Sequence, residues 1–379
     1  MSEEMKNLNE QPEQAPVEEK VEAKKPLDKK TIAIIAGAAA AVLVLVLVLV
    51  LTLGGNKGPV VNDYTLGMGA VVSINDTNAQ VDGTIAAVVL DKDGKIVLCR
   101  IDAIQNKVTI NDDGTFAIGN TKTKAELKEG YNMAAFGHSL IGNETVLEWY
   151  KQAEAFEAWC VGKTIDQVKN MATQTMENGY VISADEALLA AGCTISITDF
   201  VDAVVKAGND EFKVSFQTAG TVTLGLAINS ADTGSTAATA EKEGAIKVHS
   251  DFAASAVVDG KIVASLNDAI QPQSNFDITG KVTTTSYKGT KRELKEGYNM
   301  AAFGHSLIGN ETVKEWYLQS AAFSAHVVGM TGEQVSAMGT QTMENGYVIS
   351  NDQTLLDAGC TIQITGIKAV VAKSVVNAH

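Results

Sequence analysis

The stretch ELKEGYNMAAFGHSLIGNETV occupies residues 126–146 and returns without a change at residues 293–313. Each copy opens a longer run with the same succession of features, and between residues 126–194 and 293–361 roughly three quarters of the positions are identical. Self-similarity on this scale reads as one folding unit written twice. Upstream of the shared block the likeness shrinks to KIV (95–97 and 261–263) and DAIQ (102–105 and 268–271). Duplication alone leaves all parts of a unit equally alike. Either the later part of each unit carries a constraint that the earlier part does not, or local gene conversion has acted on it.

The earlier parts alternate and are rich in β-branched residues: AVVSI (70–74), then GTIAAVVLDKDGKIVLCRIDAI (83–104), in which DKDG predicts a hairpin turn. NDDGT (111–115) repeats the turn signal, and VTLGLAI (222–228) with VVDGKIVASLNDAI (257–270) predicts the same antiparallel sheet in the second unit. The polar run SADTGSTAATAEKEG (230–244) reads as a loop insertion, and AGNDE (207–211) as the boundary between units.

Downstream, Gly130 reads as a helix stop. Asn143 reads as the cap of a helix whose apolar stripe is Val146, Trp149, Tyr150, Ala153, Phe156 and Cys160. Thr164 with Gln167, and Thr331 with Gln334, predict capping boxes. The run from Leu188 reads as a short β-like segment entering a helix capped by Thr198, with Phe200, Val201, Val204 and Val205 inward and Ile367, Val370 and Val371 doing the same in the second copy. The expected fold is α+β: two tandem homologous domains, residues 60–207 and 212–379, each an antiparallel sheet followed by packed helices.

Ahead of them lie a polar tail, residues 1–30, too poor in large apolar side chains to order itself, and an uncharged apolar run within residues 31–54, long enough to cross a bilayer as a helix. Lys24, Lys25, Lys29 and Lys30 flank its N-terminal side against Lys57 on the other, so the tail is expected in the cytoplasm and both domains outside the cell membrane. The bilayer is thereby the first partner, held through residues 31–54. A net charge of −15 over 379 residues argues against nucleic acid, whose phosphates need clustered Lys and Arg. Four scattered cysteines form no metal or disulfide framework, and the choice between a Cys99–Cys160 bridge and buried thiols stays open.

No zinc-protease, phosphate-loop or dinucleotide motif is present, so no catalytic or metal residues are assigned. His138 and His305 stand in the shared block, each before a serine, as ligand contacts or as structural loop histidines. Tyr131 and Tyr298 lead the aromatic residues held in common, which either line a pocket for a flat ligand or fill the core.

AAGCTISITDFVDAVVKA (190–207), preceded by a sheet containing DGKIV, resembles the flavin mononucleotide-binding domains of bacterial membrane electron-transfer proteins. That family has a DGKI-type hairpin and ends in an SGATxTS segment leading into a helix. The resemblance implies FMN as cofactor. It places Thr194 and Thr361 where the family's threonine can hold flavin through a phosphoester, with Gly192 and Gly359 beside the phosphate. Here Cys193 and Cys360 replace the motif alanine, Ala191 and Ala358 its serine, and Leu188 and Leu355 an upstream aspartate. The function expected is an anchored, extracytoplasmic tandem-repeat binding protein relaying electrons through FMN. The alternative is a non-catalytic envelope or adhesion protein displaying duplicated domains.

Overall fold

The computed structural model describes residues 60–119, 121–136, 146–303 and 313–379. Its first half opens with three antiparallel strands, β1 (Asn62–Ile74), β2 (Val81–Asp91) and β3 (Ile96–Asn106), followed by a small hairpin of β4 (Val108–Ile110) and β5 (Phe116–Ile118). Helices α1 (Lys124–Leu127), α2 (Trp149–Cys160) and α3 (Ile165–Lys169) come next. The hairpin β6 (Thr173–Thr175) and β7 (Val181–Ser183) and the helices α4 (Glu186–Ala190) and α5 (Thr198–Asn209) complete the half.

The second half runs through β8 (Val214–Thr218), β9 (Thr223–Asp232), β10 (Gly244–Val258), β11 (Lys261–Ile270), β12 (Gln273–Phe276), β13 (Val282–Ser286), α6 (Lys291–Leu294), α7 (Trp316–His326) and α8 (Gly332–Ser336). It ends with β14 (Thr340–Thr342), β15 (Val348–Ser350), α9 (Gln353–Asp357) and α10 (Thr365–Val376). The class is mixed α+β with antiparallel sheets. Among the described residues no helix is long and apolar enough to cross a membrane; the tail and the apolar run 31–54 lie outside them.

Strand β2 is buried on both faces almost throughout, which explains why GTIAAVVL lacks a polar side. Ala86 and Val88 face α2 and α5 together with Phe156, Phe200 and Val204. Ile85, Ala87 and Val89 face the other way and meet Leu224, Leu226, Ile228, Phe252 and Leu266 from the second sheet. That sheet buries Ala253, Ile262 and Ala269 beneath α7 and α10. The order is therefore helices, sheet, sheet, helices, the two sheets sharing an apolar interior, and residues 60–379 pack as one unit.

The halves clasp each other reciprocally. Lys206 on α5 donates to the carbonyl of Ala70 and pairs with Glu293 across the interface at 2.9 Å. Lys373 on α10 donates to the carbonyl of Ile228 and pairs with Glu126. A patch and its copy contacting each other this way is the signature of a two-fold interface, here within one chain. Strand β8, which the sequence places past the boundary, is the outer strand of the first sheet, pairing with β1. The loop after β9 is packed: Ala238 donates to the carbonyl of Gly114 in the NDDGT turn, where φ of 76° and the nearness of the Ala238 carbonyl both require glycine.

Both capping boxes form as the sequence indicates, and the DKDG and NDDGT turns join β2 to β3 and β4 to β5. Other elements differ. Helix α2 starts at Trp149, after Val146, with Glu148 at its head, and Asn143 lies outside the described residues. Helix α5 starts at Thr198 itself, with Ile197 in the cap position. Gly130 sits inside a 3-10 turn, Lys128–Tyr131, and Lys128 and Asn132 take the left-handed φ instead. The segment around Leu188 is helical because the Asp185 side chain accepts from the amides of Ala187 and Leu188, a local cap that outweighs the apolar run. All four cysteines are buried thiols.

One buried acid has a consequence for stability. Glu157 on α2 accepts from the Ile101 amide at 2.6 Å and lies 3.4 Å from Arg100, and burial pushes its carboxyl up to about 8 from an ordinary 4.5. The folded state thus holds a proton that the unfolded chain releases. Glu157's contribution is most favourable below about 4.5 and is lost as pH rises towards about 8. Glu157→Gln keeps an acceptor for Ile101 without the charge. Its melting temperature relative to the parent is expected to rise between pH 5 and pH 8, the comparison cancelling the similar shifts of Asp102 and Asp268.

Candidate functional site

The shared block builds the same scaffold in each half. Thr123 and Glu126, like Thr290 and Glu293, form capping boxes. Glu148 accepts from the amides of Met133 and Ala134, and Glu315 from those of Met300 and Ala301. Gln152, fully buried, accepts from the Thr194 and Ile195 amides and donates to the Leu147 carbonyl. Gln319 accepts from Thr361 and donates to the Lys314 carbonyl. A buried donor or acceptor left alone costs about 1–3 kcal/mol, so each of these side chains is tied to its place. The identity between copies falls on this hydrogen-bonded frame.

Above the frame in the second half lies an open cleft of about 1070 Å³. Tyr298 and Thr361, both singled out from sequence, line it together with Trp316, Tyr347, Lys291 and His249. Strand β10 supplies His249 and Asp251, the turn after α6 supplies Tyr298, and the head of α7 supplies Trp316. The β14–β15 turn, an Asn345–Gly346 signal not read as a hairpin in the sequence, supplies Tyr347.

A continuous polar chain runs along one wall. Tyr298 donates its hydroxyl to Gln271 at 2.9 Å, the Gln271 amide meets His249 Nδ1 at 3.0 Å, and His249 Nε2 meets Asp251 at 2.9 Å. This order makes His249 an acceptor at Nδ1 and a donor at Nε2. Burial pushes the Tyr298 phenol up, so it stays protonated. The arrangement can hold a flat molecule against rings while presenting hydrogen-bond donors and acceptors to its edge.

The other candidates are placed differently. Thr361 is 4 % exposed and Thr194 3 %, and each hydroxyl lies about as far as a hydrogen bond reaches from its glutamine, 3.4 and 3.5 Å. Gly192 and Gly359 close α4 and α9 with φ near 90°, their amides bonded to Leu189 and Leu356; neither lines the cleft. In the first half Tyr131 reaches Gln105 at 3.4 Å. His138 and His305 lie outside the described residues. His249 and Asp251 carried no sequence signal, because they stand where the two copies no longer resemble each other, whereas Lys291 is matched by Lys124 just ahead of the shared block, a signal the sequence reading passed over. Among the described residues no group of His, Cys, Asp and Glu is placed to hold a metal ion. No protein-family model, curated protein or solved structure matches the chain.

Proposed function

We propose that the chain is a membrane-anchored binding protein that holds a flat, flavin-class ligand without a covalent bond, in the cleft of its second half, for electron relay outside the membrane. In this reading residues 31–54 span the bilayer, and residues 60–207 and 212–379 are two copies of one domain on its outer side. The observation that carries it is the convergence of Thr361, chosen by resemblance to flavin-binding domains, and Tyr298, an aromatic residue shared by the two copies, on one large cleft with Trp316 and Tyr347. The burial of the Thr361 hydroxyl favours non-covalent holding, since a phosphoester needs that oxygen at the surface.

Titrating the full-length chain in detergent micelles with FMN tests the proposal through quenching of flavin fluorescence. Saturable quenching is expected. Trp316→Ala should weaken it about 3- to 10-fold, the worth of one aromatic contact. Protein that neither carries nor takes up flavin removes the reading and leaves the envelope-display alternative.

A further inference from the structure

Lys291 is only 7 % exposed, yet among the described residues its ammonium has neither ion pair nor hydrogen bond. It stands over two rings, 5.1 Å from the centre of Tyr298 and 5.3 Å from that of Trp316, and opens onto the cleft. Asp251, the nearest acid on β10, is taken by His249. Ring faces compensate a buried cation only partly, and a charge without a counter-ion in such a place is costly.

The first half carries the same lysine over the same rings, Lys124 above Tyr131 and Trp149. Its surroundings are more acidic. In the strand register Thr84 faces Ala103 as Asp251 faces Ala269, which sets Asp82 at the place of His249 and Gln80 at that of Lys247. The α10 position Gly366 is Asp199 in the first half. Desolvation, Asp202 and Asp82 push the Asp199 carboxyl up while Lys124 draws it down, so this lysine has acids within electrostatic reach. Gly366 leaves the space that Asp251 fills: a Cβ there would lie 2.1 Å from the Asp251 carboxylate. With Asp268 and its counterpart Asp102 included, the second cradle sets two lysines, Lys291 and Lys247, against two aspartates, Asp251 and Asp268, and the first sets one lysine against three, Asp82, Asp199 and Asp102.

We propose that the second cradle is an anion site, in which a phosphate or carboxylate of the ligand supplies the direct ion-pair partner that Lys291 lacks, and that the first cradle takes no such ligand, so each chain holds one. The planar part of that ligand rests on the flavin reading above; the anion does not. Burial brings the Lys291 amine down to about 8, with Asp251 and Asp268 opposing. His249 and Lys247 on β10 and Tyr298 complete the groups that face it. The lysine is charged below that pH, so the anion's share of affinity is present at neutral pH and fades as pH rises through about 8.

The full-length chain in micelles is titrated by calorimetry with FMN and with riboflavin, which lacks the phosphate. FMN is expected to bind once per chain and about 10-fold or more tighter than riboflavin, the scale of a charge-assisted bond. Lys291→Met should bring FMN to the riboflavin level and leave riboflavin unchanged, Lys291→Arg should keep most of the preference, and Lys124→Met should alter neither. Since Lys291→Met removes a buried unpaired charge, its melting temperature should not fall, which certifies the fold. Equal binding of the two flavins, equal losses in Lys291→Met, or two FMN per chain would overturn the proposal. If neither flavin binds, the flavin reading fails alone, and pyrophosphate and citrate judge the anion site. A rise in melting temperature that Lys291→Met abolishes supports it, and no rise with either anion sinks it.

Discussion

Asp210→Ala is expected to destabilise residues 60–379 by about 3–5 kcal/mol, the loss typical when one partner of a buried ion pair is removed. Asp210 lies in the connection between halves, and its carboxylate accepts from the Met68 amide on β1, from the Phe212 amide and from Arg292 on α6. Both charged side chains are 6 % exposed. Arg292 already leaves Nε and Nη1 without partners, and its guanidinium lies over the Phe212 ring at 4.9 Å, so deleting the carboxylate strands a full charge between the halves. Asp210→Asn, which keeps the acceptor, should lose less. Asp210→Ala combined with Arg292→Met should recover most of the loss, because the cost belongs to the stranded charge rather than to the contact. Urea denaturation of the four proteins checks this. If the double variant is as unstable as Asp210→Ala, the clasp rests on packing alone.

The Asp210–Arg292 pair also shows what could be read from sequence and what could not. Local chemistry was legible wherever a few neighbouring residues decide it, as in DKDG, NDDGT and the Thr164–Gln167 box. The sheets were legible as strands, but not their partners. GTIAAVVL is apolar on both sides because a second sheet covers what would otherwise be the solvent face, and nothing local announces that the cover is the chain's own copy. Strand β8 crosses the apparent boundary for the same reason: its partner, β1, lies some 150 residues earlier. Identity between copies pointed to the block that holds the frame. What distinguishes the two cradles, Asp82 and Asp199 against His249 and Gly366, sits on positions where the copies have drifted apart, and only the strand register pairs Asp82 with His249.

Gln319→Leu tests how far frame and cleft are one device. Gln319 is fully buried, accepts from the Thr361 amide at 2.8 Å and donates to the Lys314 carbonyl at 2.7 Å. Leucine is close in size but meets neither group, so two buried backbone groups lose their partner, at about 1–3 kcal/mol each. A stability loss of about 2–5 kcal/mol is expected on denaturation. Gln152→Leu, which frees the amides of Thr194 and Ile195 in the first half, should cost a similar amount. The ligand separates them. Thr361 and Ile362 line the cleft, and releasing their backbone should weaken FMN binding in Gln319→Leu under conditions where the protein remains folded, while Gln152→Leu should bind as the parent does. Equal binding losses in both variants would mean that the halves share one ligand or that each holds its own, and the assignment of the cleft to the second half would fall.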